Sequence, residues 1–378
     1  MPQFHWKVLP GFLAFFLLRT VTAQTSANPD LSVIPRFLIQ TNDGTSLAEG
    51  EREFSKPDYS FEELEIAIQA YLNPFAKGDV VLTLPGPDLE ESKLGVEEVY
   101  ATIVRGLPLG LNLRFGKYRV EYGKLNVVHP HAWPFVTQPS SQERFLGEEG
   151  LNDLGVSASV LLPTGNIYTK LTVDLLRGGA IGDATGIPDT TESSIPYAAS
   201  SRLMSFFTLN DHSDLEVGLS GYTGIHDPYA HQHFYYANVD FKYKYRPNSY
   251  TSLSVQGEFL RNMRKAVRDR DLNPFVDDQG NQEERTIHSS GLYFYANYQL
   301  KKIYSMGARY DWSESPYSAN NQAQAFAVFL GYYPVEETLG LRLQFQHTKT
   351  DVPGGAEAVN LIALQMLFSL GPHKAHPF

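Results

Sequence analysis

The side chains best suited to chemistry are histidines in pairs. His129 and His131 stand two apart in one stretch, His231 and His233 two apart in another, with His226 close by. Neutral imidazoles so spaced suit Zn²⁺, Cu²⁺ or Ni²⁺, so these four residues are the candidate metal ligands. Pro130, Trp133 and Pro134 offer the plainer reading of the first pair, a packed loop. His373 and His376 sit on the tail, expected on the opposite side from both loops. Asp227 beside His226, and Asp211 beside His212, have the residue types of a catalytic dyad. Neighbours along a strand point to opposite faces, however, and no nucleophile motif accompanies either pair, so no catalytic residue and no enzyme is expected. The chain has no cysteine, which removes thiolate chemistry and a disulfide framework together.

A second set of functional groups is spread along the chain at alternate positions, and the stretch 234–260 shows how it is carried. Tyr235, Ala237, Val239, Phe241, Tyr243 and Tyr245 alternate with Asn238, Asp240, Lys242, Lys244 and Arg246. After Pro247-Asn248-Ser249, Leu253, Val255, Gly257 and Phe259 alternate with Ser254, Gln256 and Glu258. Period two is a β-strand signature, and the breaker makes a hairpin. Each arm runs ten residues or more; soluble strands average about 5–6 residues, whereas about 9–11 tilted residues cross a bilayer. The apolar face then meets lipid and the charged face lines an interior.

The same unit recurs. Short turns fall near residues 74, 107, 164, 211, 248, 301 and 335, and long loops near 50, 90, 135, 187, 229, 275, 319 and 353. Alternating short and long connections, with both termini on the periplasmic side, predict an all-β fold: a transmembrane antiparallel up-and-down β-barrel of about 16 strands. The even count requires a first strand at 32–40 that contains Pro35. Tyr245, Tyr310, Trp312 and Tyr333 are placed in interfacial girdles, and the stretch 123–150 is a long loop of the kind that is functional or disordered. A mean hydropathy of −0.26 with 13% aromatic residues fits strands that alternate lipid-facing and lumen-facing positions. The net charge of −11 argues against a nucleic-acid partner. Residues 1–23 read as a signal peptide, with Lys7, the apolar run 8–18 and cleavage after Ala23, leaving 24–378 as the barrel.

Asn28-Pro29-Asp30, His129-Pro130-His131-Ala132-Trp133-Pro134-Phe135, Leu146-Gly147-Glu148-Glu149-Gly150-Leu151 with Gly155-Val156-Ser157 and Leu161-Leu162-Pro163, and the end Gly371 to Phe378 carry a family resemblance. The chain resembles uncharacterised Gram-negative outer-membrane β-barrels, often labelled zinc-regulated TonB-dependent outer-membrane receptors and similar in architecture to phosphate-selective porins. The resemblance implies export to the bacterial outer membrane. A TonB-dependent receptor carries a plug domain, and the residues before Phe61 are too few for one, so no plug domain is expected. A final phenylalanine is common to such barrels, but Gly371-Pro372 separates Phe378 from the last strand.

The expected lumen residues are Arg114, Lys170, Arg202, Asp240, Lys242, Lys244, Arg246, Arg309, Asp311 and Arg342, joined by Glu65, Glu98, Asp174, Glu216 and Glu258. Nearly balanced signs predict a porin-like channel for passive passage of small solutes or ions, weakly selective, with charges paired across the lumen. The alternative is an uptake barrel that captures zinc or another transition metal through outward-facing histidine loops; an adhesin or structural barrel is a third reading. Lipids and small solutes are the expected partners, and a possible zinc ion is the only cofactor.

Overall fold

The computed structural model describes residues 29–44, 54–86, 93–178, 198–227, 232–267, 273–335, 338–352 and 355–371. The alternating arms pair into one sheet that closes on itself. Its strands are β1 (Asp30–Asn42), β2 (Asp58–Asn73), β3 (Ala76–Pro85), β4 (Gly95–Ile103), β5 (Asn112–Arg119), β6 (Asn152–Leu162), β7 (Tyr168–Leu176) and β8 (Ala198–Asn210). They continue as β9 (Ser213–Asp227), β10 (Gln232–Asn248), β11 (Thr251–Ala266), β12 (Arg285–Leu300), β13 (Tyr304–Ser315), β14 (Ser318–Val335), β15 (Leu339–Val352) and β16 (Gly355–Phe368). Every strand pairs antiparallel with its predecessor, and β16 returns to β1, giving a closed barrel of sixteen. The closing ladder runs from Arg36 opposite Leu367 to Asn42 opposite Leu361. Pro35 precedes that ladder, so its missing N–H deprives no closing hydrogen bond.

Outward positions form an exposed apolar band that includes Val99, Phe115, Leu154, Val173, Leu219, Val239, Phe294, Phe326, Leu343 and Leu364. An exposed apolar surface that girdles a closed barrel needs lipid, because water would leave it unburied. Tyr168, Tyr245, Tyr304 and Tyr332 crowd the end where the short turns lie, with the Tyr304 and Tyr332 rings stacked 5.5 Å apart. Tyr333 does not join this girdle. It turns inward, and its hydroxyl accepts a hydrogen bond from Arg342 Nε at 3.2 Å.

The expected long connections near 229, 319 and 353 shrink in the structure, because β9 and β10 enclose only 228–231, β13 and β14 only 316–317, and β15 and β16 only 353–354. Past the lipid band both faces of a strand meet polar surroundings, so alternation disappears from the sequence while the backbone ladder continues. Two β-bulges have larger consequences. On β2 the register slips so that Arg36 faces Glu63 while Phe37 faces Phe61, leaving Glu62 extra. On β4 Val81 faces Glu98 while Leu82 faces Val96, leaving Glu97 extra. A bulge lets consecutive residues share a face, and here it turns neighbouring glutamates into the lumen together.

The stretch 120–151 between β5 and β6 does not project outward. It folds into the barrel, carrying a short helix α1 (Ser140–Leu146) that packs on β12, β13 and β14. Gly291 admits this helix, since a β-carbon there would stand 2.8 Å from Ser141 Cβ.

Candidate functional site

The inserted segment is apolar enough to seek burial. Val120, Tyr122, Phe145, Leu146 and Leu151 pack with the inward rings of Tyr100, Tyr118, Tyr222, Phe234 and Tyr236. Leu125, Trp133 and Phe135 pack with Tyr293, Tyr295 and Phe329. Each large apolar side chain withdrawn from water contributes about 1.5–3 kcal/mol, which holds the segment against the wall. Ala323, Ala325 and Ala327, all inward and buried, keep the wall of β14 low where the segment lies.

Polar anchors set its position. Glu258 on β11 accepts the backbone N–H of Lys124 at 3.0 Å and of Leu125 at 2.6 Å. It also accepts from Gln142 Nε2 at 3.1 Å, Asn238 Nδ2 at 2.9 Å and the Tyr293 hydroxyl at 2.7 Å. Lys124 Nζ donates to Glu216 at 2.6 Å, and Lys170 Nζ donates to Glu121 at 2.9 Å. On the far wall Val136 N donates to Gln344 Oε1 at 2.7 Å, Arg309 donates to the Thr137 carbonyl, and Arg342 Nη2 donates to the His131 carbonyl at 2.6 Å. Asn126 joins the two ends of the segment, donating to the carbonyls of Val120 and Leu151 at 2.8 and 2.9 Å. The segment therefore crosses the lumen and constricts it.

At its tip the bulges matter. Glu65 Oε2 lies 2.9 Å from His131 Nδ1 and 3.3 Å from His129 Nδ1, while His129 Nε2 is 3.4 Å from Glu98 Oε1. Glu97 holds Arg119 at 2.6 Å and lies 3.6 Å from His129 Nδ1. Glu62 and Glu63 both grip Arg36. Burial alone would lower the His129 pKa, but the Glu65 carboxylate, backed by Glu98 and Glu97, overrides burial and pushes it up to about 10. Burial keeps His131 below its ordinary value; Glu65 offsets only part of this, and the His129 charge adds to the lowering.

Two cavities lie between the inserted segment and the short-turn end. One, about 580 Å³, has five carboxylates and five Arg or Lys side chains among its described lining residues, with His129 and His131. The other, about 560 Å³, is lined by Lys242, Lys244, Arg246, Lys302 and Arg342, with no Asp or Glu among its described lining residues. Both touch Ile34 and His131.

Of the four candidate metal ligands, the structure brings His129 and His131 together, their rings stacked 5.8 Å apart. His129 and His131, expected on an outer loop, sit inside the lumen because their segment is apolar and finds aromatic walls there. His233 lies exposed on the outward face of β10, and His231 falls outside the described residues. The ten expected lumen residues all face inward. Arg114 stacks on Tyr100 at 4.7 Å, and Arg202 donates to both oxygens of Asp240 at 2.5 and 2.8 Å. Arg309 pairs with Asp311 at 3.0 Å, Arg342 bonds Gln365 at 3.0 Å, and Lys170, Lys242, Lys244 and Arg246 line the cavities. Asp211 and His212 form an exposed turn. The side chains of His226 and Asp227, the leader 1–23 and the tail 372–378 lie outside the described residues. Period-two reading missed Arg36, Glu62, Glu63, Glu97, Arg119, Glu121 and Lys124. The doubled Glu62-Glu63 and Glu97-Glu98 were the signal of a bulge, and apolar residues on both faces of β14, Ala325 and Ala327 inward against Phe326 and Val328 outward, were the signal of something apolar inside.

No protein-family model matches the chain. It is 27% identical to an uncharacterised protein of Aquifex aeolicus (strain VF5), over 85% of this chain and 71% of that one. Its fold is similar to the outer-membrane channel DcaP of Acinetobacter baumannii, with a TM-score of 0.57 at 13% identity over 92% of this chain and 99% of that one. It is equally similar to an anion-selective porin from Comamonas acidovorans, TM-score 0.57 at 8% identity over 91% and 99%. The architecture is that of the sixteen-strand outer-membrane porins.

Proposed function

We propose that the protein is a bacterial outer-membrane channel for passive passage of small solutes, narrowed by the inserted segment 120–151 and favouring anions. The observation that carries this reading is a charge-lined interior inside an apolar, lipid-facing exterior. A barrel that only had to be stable would fill its lumen with apolar side chains; this one keeps buried charges, paired and hydrogen-bonded, around two cavities.

The anion preference rests on the second cavity. Its five basic side chains share the lining with hydroxyl and amide groups of Ser252, Ser254, Asn297 and Gln299, a wall suited to carboxylate or phosphate groups. Asp214 offsets Arg246 nearby, so the bias is local rather than a property of the whole lumen. An anion-selective porin shares this fold. A metal-capturing receptor acting through outer histidine loops has less support, since His129 and His131 lie inside.

Refolded protein in a planar bilayer under a KCl gradient tests the proposal. Discrete current steps with a reversal potential on the anion side are expected, and Lys242→Gln with Lys244→Gln moves that potential towards zero. No current steps would overturn the channel reading; a cation-side potential would overturn the anion preference alone.

A further inference from the structure

We infer that Glu65, His129 and His131 form a binding site for one divalent transition-metal ion of the zinc type, placed inside the lumen at the tip of the inserted segment. One ligand atom from each residue lies within 4.8 Å of the other two. Ligands bound at about 2.0–2.1 Å to a tetrahedral zinc stand about 3.3 Å from one another. His129 Nδ1 and Glu65 Oε2 are 3.3 Å apart, and His131 Nδ1 is 2.9 Å from the same oxygen. The first contact is long for a hydrogen bond but right for two ligands of one small ion.

A second observation points to a missing cation. His129 Nδ1 is enclosed and makes no well-formed hydrogen bond, and neither does Oε2 of Glu97, a residue only 8% exposed whose other oxygen lies 3.6 Å from that same nitrogen. Buried polar atoms are nearly always paired, so two such atoms beside these three ligands mark a place that an ion completes. The ligands are also held from behind. The His131 carbonyl receives Arg342, and His131 sits in a short 3₁₀ turn, Pro130–Ala132. The β4 bulge brings in Glu97.

The donor set selects the ion. Two imidazoles and a carboxylate suit zinc, cobalt, nickel or copper, whereas calcium and magnesium prefer oxygen alone. The three ligands also line the larger cavity, so a fourth position can hold water or a passing solute group. Because the site joins the segment tip to β2, an ion there pins the constriction to the wall. Binding stands or falls independently of conduction.

Calorimetric titration of the refolded full chain with zinc chloride is expected to show one equivalent bound, at least tenfold more weakly in Glu65→Gln and in His131→Ala, with magnesium giving no heat of binding. A His231→Ala, His233→Ala variant should bind as the wild type does. X-ray absorption on the zinc-loaded wild type needs no substitution and should show two imidazoles and oxygen around the metal. The inference is overturned if the wild type binds no zinc, if absorption shows fewer than two imidazoles, or if only the His231/His233 change abolishes binding.

Discussion

Glu258 Oε2 lies 2.1 Å from where a β-carbon on Gly123 would stand. Gly123 also has a φ of +66°, so its lack of a side chain serves both a left-handed backbone and the close approach of the carboxylate that anchors the segment. Gly123→Ala should therefore cost more than the roughly 1–3 kcal/mol of a strained residue, because Glu258 must also withdraw from the Lys124 and Leu125 amides. Hydrogen exchange at those two amides should accelerate at least tenfold. Unchanged protection there would refute the anchoring role.

Arg309 and Asp311 form an ion pair that is almost fully buried, and Arg309 extends it to the Thr137 carbonyl. Removing one partner strands the other. Arg309→Ala should lose about 3–5 kcal/mol, and Arg309→Ala with Asp311→Ala should lose less than the sum of the single changes. Unfolding in urea with lipid present measures this; strict additivity would mean the two side chains do not act as a pair.

Acid should loosen the start of the segment through Glu121. Burial by itself would raise its pKa, but the Lys170 ammonium, with help from Arg114 and Thr172, overrides this and holds it below the ordinary 4.5. A carboxylate depressed in the folded state stabilises fully above its unfolded value, and that contribution disappears as pH falls through the folded value. Exchange at residues 120–126 should quicken in the wild type as pH falls below the ordinary 4.5, beyond its intrinsic pH dependence. Glu121→Gln should show a flat difference over the same range, and an equal response in both proteins would exclude Glu121 as the cause.

The β4 bulge is a requirement rather than a defect. Deleting Glu97 restores a regular ladder but leaves Arg119, 8% exposed, without the carboxylate that it meets at 2.6 Å. The yield of folded barrel, read from heat-dependent migration on gels, should fall sharply. Normal yield from the deletion would show that the doubled glutamates are interchangeable.

Much of this was legible in the sequence. Asp240, Lys242 and Lys244 could be assigned to the lumen, and Val239 and Phe241 to the lipid side, because successive residues of a strand must face opposite ways whatever surrounds them. The number of strands followed from the spacing of turns for the same local reason. Strand ends did not, since beyond the lipid band composition no longer alternates.

What only the tertiary structure decided is the interior. His131 receives the Arg342 side chain across 211 positions of sequence, and Lys124 meets Glu258 across 134. No periodicity encodes such meetings; they exist because the barrel closes and because segment 120–151, too apolar for water, is buried most fully inside. The bulges at Glu62 and Glu97 belong to the same class. A one-residue slip in register is almost silent in the chain, yet it decides which charges share the lumen and so where the histidines can bind.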